Sequence, residues 1–274
     1  MKRARRFLWG VFFISGGARG AFEEKPFSAR TAGMGGAMVA VLGETESAFY
    51  NPAGMRFSRG PSFASGHTRA MGFSELAHSS LSGVWPTEHW GDWGVFLTDF
   101  GSGLYREREA GLAFAAGVGP RAGVGAVIRG QELAVRRYGK YGAIQVDLGF
   151  AGRPNPKTGV GMAVRNITES PLRGISEAPR AVFSAGASRE FWSGGLTSLA
   201  AVQEAGGRSS WRVGQEITPH PALALRAGYE TDSGRFALGM GIRRGAVAVD
   251  YALVSHPTLP DQHHFGLTLT PPGP

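Results

Sequence analysis

Four segments in the last third of the chain alternate large apolar residues with small or charged ones, and within each the large residues keep one parity. Leu223, Leu225, Ala227 and Tyr229 fall on one face of an extended segment, against Ala222, Ala224, Arg226 and Gly228 on the other. Phe236, Leu238, Met240 and Ile242 oppose Arg235, Ala237, Gly239 and Gly241, and Val247, Val249, Tyr251 and Leu253 oppose Ala246, Ala248, Asp250 and Ala252. Phe265, Leu267 and Leu269 oppose His264, Gly266, Thr268 and Thr270. Successive side chains of a strand point to opposite faces, so a period of two gives each set its own surface. Every charge in these segments lies on the small-residue face. A water-exposed sheet carries Lys, Glu and Thr on its polar face. A face of Gly and Ala with few charges suits instead an all-β, antiparallel transmembrane β-barrel with an apolar outer wall and a crowded interior.

The chain contains 43 glycines in 274 residues without a Gly-X-Y period, and a mean hydropathy of −0.11, ordinary for a barrel whose apolar residues take every second position. It has no cysteine, so neither disulfides nor thiolate metal sites hold it together. Lys2, Arg3, Arg5 and Arg6, the apolar run 7–15 and Ala18-Arg19-Gly20 predict a cleaved secretory signal over residues 1–20, with Ala21 first in the mature chain. That leader holds five of the 29 basic residues and no acid, leaving 24 basic against 21 acidic residues, which are scattered singly. A nucleic-acid role is set aside on that ground.

Similar segments lie near Ser62, Ser79, Trp93, Leu112, Val124, Ile144, Val160, Phe183, Leu199, Trp211, Leu223, Phe236, Val247 and Phe265, predicting fourteen strands over residues 61–270 and a short tail, 271–274. The alternation blurs near Ser79, Trp93 and Leu199, which leaves twelve strands as the alternative. With both ends periplasmic, residues 100–109, 131–140, 166–179 and 255–262 become outer loops. Gly119-Pro120-Arg121, Arg153-Pro154-Asn155-Pro156, Thr218-Pro219-His220 and Arg243-Arg244-Gly245 become tight periplasmic turns. Trp85, Trp90 and Trp192 then mark one aromatic girdle and Tyr105, Tyr138, Tyr141 and Tyr229 the other. Gln145, Asp147, Arg165, Arg226, Arg235, Asp250 and His264 are the polar residues expected in the lumen. Counting from the turns brings Arg226 and Asp250 level with Ala237 or Leu238, close enough to pair.

Residues 21–60 lack this alternation. Ser28-Ala29-Arg30-Thr31-Ala32-Gly33-Met34-Gly35-Gly36-Ala37 is small and Gly-rich, suited to backbone packing, and Glu46-Ser47-Ala48-Phe49-Tyr50 reads as a short helix stopped by Asn51-Pro52. Such a stretch ahead of a barrel is expected to plug it. Arg30, Gly33, Met34, Gly35, Gly36, Tyr50, Asn51, Pro52 and Gly54 are its candidate residues, and the Gly35 and Gly36 amides are expected to find partners among polar lumen groups.

Catalytic readings are weak. His256, His263 and His264 gather with Asp261 near the last outer loop, but no Gly-x-Ser-x-Gly accompanies them and their spacing sits in strand and loop without a fixed helical face for a metal. The Gly-x-Gly pairs at Gly117, Gly123, Gly159 and Gly239 lack the rest of a dinucleotide fingerprint and suit lumen positions. No enzyme activity, cofactor or metal is expected.

Several blocks together resemble a known family. They are Ala29-Arg30-Thr31-Ala32-Gly33-Met34-Gly35-Gly36-Ala37, Ser47-Ala48-Phe49-Tyr50-Asn51-Pro52-Ala53-Gly54, Leu225-Arg226-Ala227-Gly228-Tyr229, Val249-Asp250-Tyr251-Ala252 and His263-His264-Phe265-Gly266-Leu267-Thr268-Leu269. Their order resembles the PorV/PorQ-like outer-membrane proteins, relatives of the FadL-type channels for hydrophobic compounds. The resemblance implies a fourteen-stranded barrel with an N-terminal segment tucked inside, in the bacterial outer membrane. Its implied partners are outer-membrane lipid, the barrel-insertion machinery and secreted proteins or components of a type IX-like secretion system. The Asn-Pro-Ala block also occurs in FadL-type transporters, so a conduit for an apolar small-molecule ligand stands as the alternative. Two features depart from the pattern: modest loops, and a Pro271-Pro272-Gly273-Pro274 ending where such barrels usually present an aromatic residue.

Overall fold

The structure, a computed structural model, describes residues 21–87, 89–174, 178–192, 194–207 and 209–271. The expected signal and Pro272, Gly273 and Pro274 of the tail lie outside the described residues. Fourteen antiparallel strands close into a barrel. They are β1 (Ser62–Arg69), β2 (Ala77–Trp85), β3 (Asp92–Gly101), β4 (Tyr105–Gly117), β5 (Ala122–Val135), β6 (Gly139–Asn155) and β7 (Thr158–Arg165), then β8 (Val182–Glu190), β9 (Gly195–Glu204), β10 (Ser209–His220), β11 (Leu223–Glu230), β12 (Arg235–Arg244), β13 (Val247–Ser255) and β14 (Gln262–Leu269). Each strand pairs with its sequence neighbours, and β1 closes the ring against β14 from Phe63↔Leu269 to Arg69↔His263. Closure leaves no sheet edge, the condition for backbone to stand in lipid. No helix among the described residues is long and apolar enough to cross a membrane, which says nothing of the strands.

The parity read from the sequence is the parity of the wall. Leu225, Tyr229, Phe236, Leu238, Met240, Ile242, Val247, Val249, Phe265, Leu267 and Leu269 are exposed on the outside, while Arg226, Ala237, Ala248, Asp250, Ala252 and His264 are buried inside. The strands expected at Ser79, Trp93 and Leu199 are present, so the count is fourteen and not twelve.

The connections differ from expectation. Residues 100–109 and 131–140 are not loops: β3–β4 and β5–β6 each turn through three residues, 102–104 and 136–138. Their charges do not break the strands, because Glu107, Glu109 and Gln131 point inward and Arg106, Arg108 and Glu132 outward, so the ladders run on past the apolar band. The proposed turn residues Arg153, Pro154, Asn155, Thr218, Pro219, His220, Arg243 and Arg244 likewise belong to strand ends. Residues 166–181 do form a long connection, running beside the upper half of β6, where Ile167 N donates to Val146 O and Arg173 N to Gly142 O, each at 2.9 Å. We call the rim bearing the β1–β2, β3–β4 and later odd connections the loop rim, and the opposite one the turn rim. Trp85, Trp90 and Trp192 are exposed at the turn rim, and Tyr138 and Tyr229 are exposed on the loop-rim half. Tyr105 and Tyr141 instead share the inward parity of Glu107 and Gln145, so they do not join an outer girdle.

Residues 27–57 lie inside the barrel. They form helix α1 (Ala29–Gly33), helix α2 (Ser47–Tyr50) and a 3-10 turn, Pro52–Phe57. Helix α1 was not expected, yet its caps are local. The Ser28 side chain accepts from Thr31 N and the Thr31 hydroxyl accepts from Ser28 N, a reciprocal box. At the other end Gly35 takes φ +59°, its N–H donates to Ala32 O and the Gly36 N–H to Thr31 O, both 2.9 Å. This is the Schellman closure, in which a left-handed residue after the helix lets two amides turn back on its last carbonyls. The amides of Gly35 and Gly36 are thus satisfied within their own segment and not by lumen side chains.

Candidate functional site

The inward small residues exist because the inner segment's backbone presses on them. A Cβ on Gly214 would stand 2.6 Å from Met34 O, one on Gly125 2.6 Å from Ala53 N, and one on Gly35 2.7 Å from Tyr229 N. Gly228 meets Gly35 backbone to backbone, and Gly66, Gly159 and Gly161 meet Phe27, Ala40 and Val39 in the same way. Gly117 and Gly123 face Arg56, and Gly239 faces Gly33, so the Gly-x-Gly pairs are lumen positions. Carbonyls of the segment that no helix satisfies accept from wall hydroxyls: Ala37 O from Ser198 at 2.6 Å, Ala40 O from Ser188 at 2.7 Å and Phe27 O from Ser80. Asn51 is fully inside and its amide donates to Val39 O at 2.8 Å and Phe150 O at 3.0 Å, pinning segment to wall, while Pro52 starts the 3-10 turn. Gly54 packs on Ser47, and its carbonyl accepts from Gly43 N at 3.0 Å. Tyr50 OH accepts from Phe27 N at 3.1 Å, and burial pushes the phenol up to about 12.

Among the described residues, three groups of ion pairs tie the segment and the arm that precedes it, residues 21–26, to the wall. In the first, Arg30 Nε and Nη2 clamp Glu216 at 3.1 and 3.2 Å and its Nη1 meets Glu44; Glu216 also takes Arg226 Nε at 2.5 Å, and Arg226 Nη1 reaches Asp250 at 2.6 Å. The Arg226–Asp250 pair therefore forms as expected, but at another height. Arg226 pairs across with Gly239 because the β11–β12 turn spans four residues, 231–234, and Asp250 with Gly241 because β12 runs on to Arg244 before its turn at 245–246, so neither is level with Ala237 or Leu238. In the second group Glu24 bridges Arg165 and Arg212, Arg212 Nε holds Glu230 at 3.0 Å, and Glu230 holds Arg235 Nε at 2.8 Å. In the third, Lys25 binds Glu107 of the wall at 2.8 Å, and beside this pair, within the wall itself, Arg129 lies between Asp147 (3.0 and 2.5 Å) and Glu109 (3.3 Å).

Burial would raise the Glu24 carboxyl, but the Arg165 and Arg212 guanidinium groups outweigh it and hold it below the usual value. Glu46, which accepts from the Ser28 hydroxyl at 2.7 Å, is pushed up by burial, against the pull of Arg30. Burial would likewise lower Arg30, yet Glu216 and Glu44 raise it well above its ordinary range.

Of the expected lumen residues, Gln145, Asp147, Arg165, Arg226, Arg235, Asp250 and His264 all point inward. Gln145 holds the 166–181 connection, its amide donating to Ser170 O at 2.7 Å. Arg129, Arg212, Glu216 and Glu230 complete the groups and were not singled out. The signal was available: Arg212, Gly214 and Glu216 alternate with Trp211, Val213 and Gln215. The histidine cluster does not assemble. His263 points outward to Tyr251 OH at 2.6 Å, the adjacent His264 points inward, and His256 accepts from Thr258 N in its own loop. No metal-binding group of three His, Cys, Asp or Glu occurs among the described residues.

Between the second and third groups, at the loop rim, lies a cavity of about 270 Å³ lined by Phe49, Phe100, Leu172, Glu24, Arg165 and Arg212 among others. Phe49, packed at 5.1 Å on Phe27 and 5.3 Å on Phe96, belongs to the inner segment, so the segment forms part of the cavity wall.

No protein-family profile matches the sequence, and no curated protein matches it. Solved structures do. The toluene transporter TbuX of Ralstonia pickettii superposes with a TM-score of 0.64 at 12% identity, over 89% of this chain and 97% of that one. The toluene transporter TodX of Pseudomonas putida gives 0.62 at 12% over 90% and 97%, and a FadL homologue of Pseudomonas aeruginosa 0.55 at 12% over 87% and 97%. At such identities the likeness is one of fold: the chain has the barrel architecture of these outer-membrane channels across nearly its whole length.

Proposed function

We propose that the protein is an outer-membrane conduit of the FadL type, admitting small apolar or amphipathic molecules at the loop-rim cavity and passing them by displacement of the inner segment. The observation that carries this reading is the cavity whose wall includes the seated segment itself. A solute held against Phe49, Phe100 and Leu172 touches the part that must move. Its volume falls just below the roughly 300–1,000 Å³ usual for small-ligand sites, room for a compact solute only. The fold shared with toluene transporters supports the same choice. The outward apolar wall supports a membrane setting and the expected export signal an outer-membrane one.

The secretion-linked scaffold implied by the PorV/PorQ resemblance draws less support. The β3–β4 and β5–β6 connections are three residues each, offering little surface for a large cargo. Uptake into liposomes distinguishes the two: a conduit accelerates entry of toluene over protein-free vesicles while excluding a sugar of similar size. Equal rates with and without protein would remove the conduit reading.

A further inference from the structure

The outer wall of β2–β6 changes character within one step along each strand. Leu81, Leu97, Ala110, Gly130 and Ile144 form one outward row through direct cross-strand pairs. The next row toward the loop rim is Ser79, Asp99, Arg108, Glu132 and Gly142, and beyond it stand Arg106 and Lys140. Arg106 grips Asp99 at 2.6 and 2.5 Å, Arg108 reaches Asp99 at 3.1 Å and Glu132 at 3.4 Å, and Lys140 lies 3.6 Å from Glu132. Arg173, exposed on the 166–181 connection, is brought alongside by its amide bond to Gly142 O. Four cations thus surround two carboxylates, each of which is already shared.

Below the cations the wall is hollow. Ala110, Gly130 and Gly142 leave a groove of about 1,110 Å³ between the flanking Leu97 and Ile144, open toward the apolar band and roofed by Arg106, Arg108 and Arg173. The cluster is local: the outward faces of β8, β10, β11 and β12 end near the loop rim in Phe183, Trp211, Tyr229 and Phe236, without cations. An apolar trough continuous with the lipid-facing band accepts hydrocarbon, and guanidinium forks with spare N–H groups above it accept phosphate oxygens. The two halves match one amphiphile.

We propose that this groove is a binding site for a phosphate-bearing lipid of the surrounding leaflet, with an acyl chain over Ala110 and Gly130 and the phosphate against Arg106, Arg108, Lys140 and Arg173. The proposal uses the lipid-facing orientation of the wall but not transport, so toluene uptake can fail while lipid binding stands.

The test is native mass spectrometry and thermal unfolding of the full mature chain in detergent micelles, with added lipid A, a neutral diacylglycerol or inorganic phosphate. Lipid A is expected to remain bound and to raise the unfolding temperature; diacylglycerol and inorganic phosphate are expected to do neither. Replacing Arg106, Arg108 and Arg173 with Gln should lower the bound fraction severalfold. Because Arg106 and Arg108 also tie the hairpins together, the exposed pair Lys140→Gln and Arg173→Gln serves as the variant that keeps the fold, with a smaller loss in the same direction. Gly130→Leu fills the trough with the charges intact, its Cβ meeting nothing nearer than Ala110 O at 3.9 Å, and should also release the lipid. Retention unchanged in all three variants would overturn the site. Stabilisation by inorganic phosphate equal to that by lipid A would reduce it to an adventitious ion only.

Discussion

The buried charges of this barrel work in shared pairs, and their removal should show it. Arg226 serves Glu216 and Asp250 together, so its loss strands Asp250, whereas loss of Asp250 leaves Arg226 paired with Glu216. Stranding a buried charge typically costs about 3–5 kcal/mol. Arg226→Ala is therefore expected to destabilise more than Asp250→Ala, and the double variant to cost less than the sum, with a coupling of about 0.5–3 kcal/mol in urea unfolding. Additive losses would break the pair. Glu24 is the corresponding tie of the N-terminal arm. Because its folded carboxyl titrates below the ordinary range, its contribution is complete above that range and is lost as pH falls through the lowered value. Hydrogen-exchange protection over residues 21–27, relative to the intrinsic exchange rate at each pH, should therefore fall on acidification in the wild type, and be low already at neutral pH in Glu24→Gln. Equal protection in the two proteins at neutral pH would show that the arm is held by something else.

At the level of strands, the two faces respond to opposite rules. Leu238 is 51% exposed on the outer wall, so Leu238→Arg near mid-membrane should cost about 2–4 kcal/mol in liposome unfolding. Its neighbour Ala237 is buried in a cluster with Ala29, Ala32, Ala252 and Val254, where a new hydroxyl meets packed methyl groups and not water. Ala237→Ser should cost about 1–3 kcal/mol for an unsatisfied group, a narrower gap than a water-filled lumen would give. A larger cost for Ala237→Ser than for Leu238→Arg would invert the register. Strand positions and facing were legible because a two-residue period survives any error in turn length. Turn positions were not: a four-residue turn at 231–234 shifted the expected height of Arg226 and a turn at 245–246 that of Asp250, and the charged hairpin tips of β3–β6 read as loop since pairing by backbone leaves no trace in polarity. Helix α1 escaped notice because Gly and Ala obscured its capping Ser28 and Thr31, although Gly35 stands where a helix-ending left-handed residue belongs.

For the molecule as a whole, a barrel with outward bulk and inward glycine has its interior shaped for one occupant, its own N-terminal segment. A tight seat alone would seal the lumen permanently. The ion pairs of Arg30 and Glu24 and the wall hydroxyl bonds are polar contacts that water can replace, while the backbone contacts at Gly35 and Gly228 supply the fit. The full mature chain should accordingly show low conductance in planar bilayers, and deletion of residues 28–55 should raise it strongly. A gentler perturbation separates loss of the seal from loss of the segment. Gly35→Ala places a methyl 2.7 Å from Tyr229 N at φ +59°, where an L-residue is already strained, so the segment is pushed off the wall while every strand keeps its pairs. Intermittent openings in Gly35→Ala, larger steady ones in the deletion and near silence in the wild type are the expected order. Equal conductance in all three proteins would mean that the segment does not close the pore.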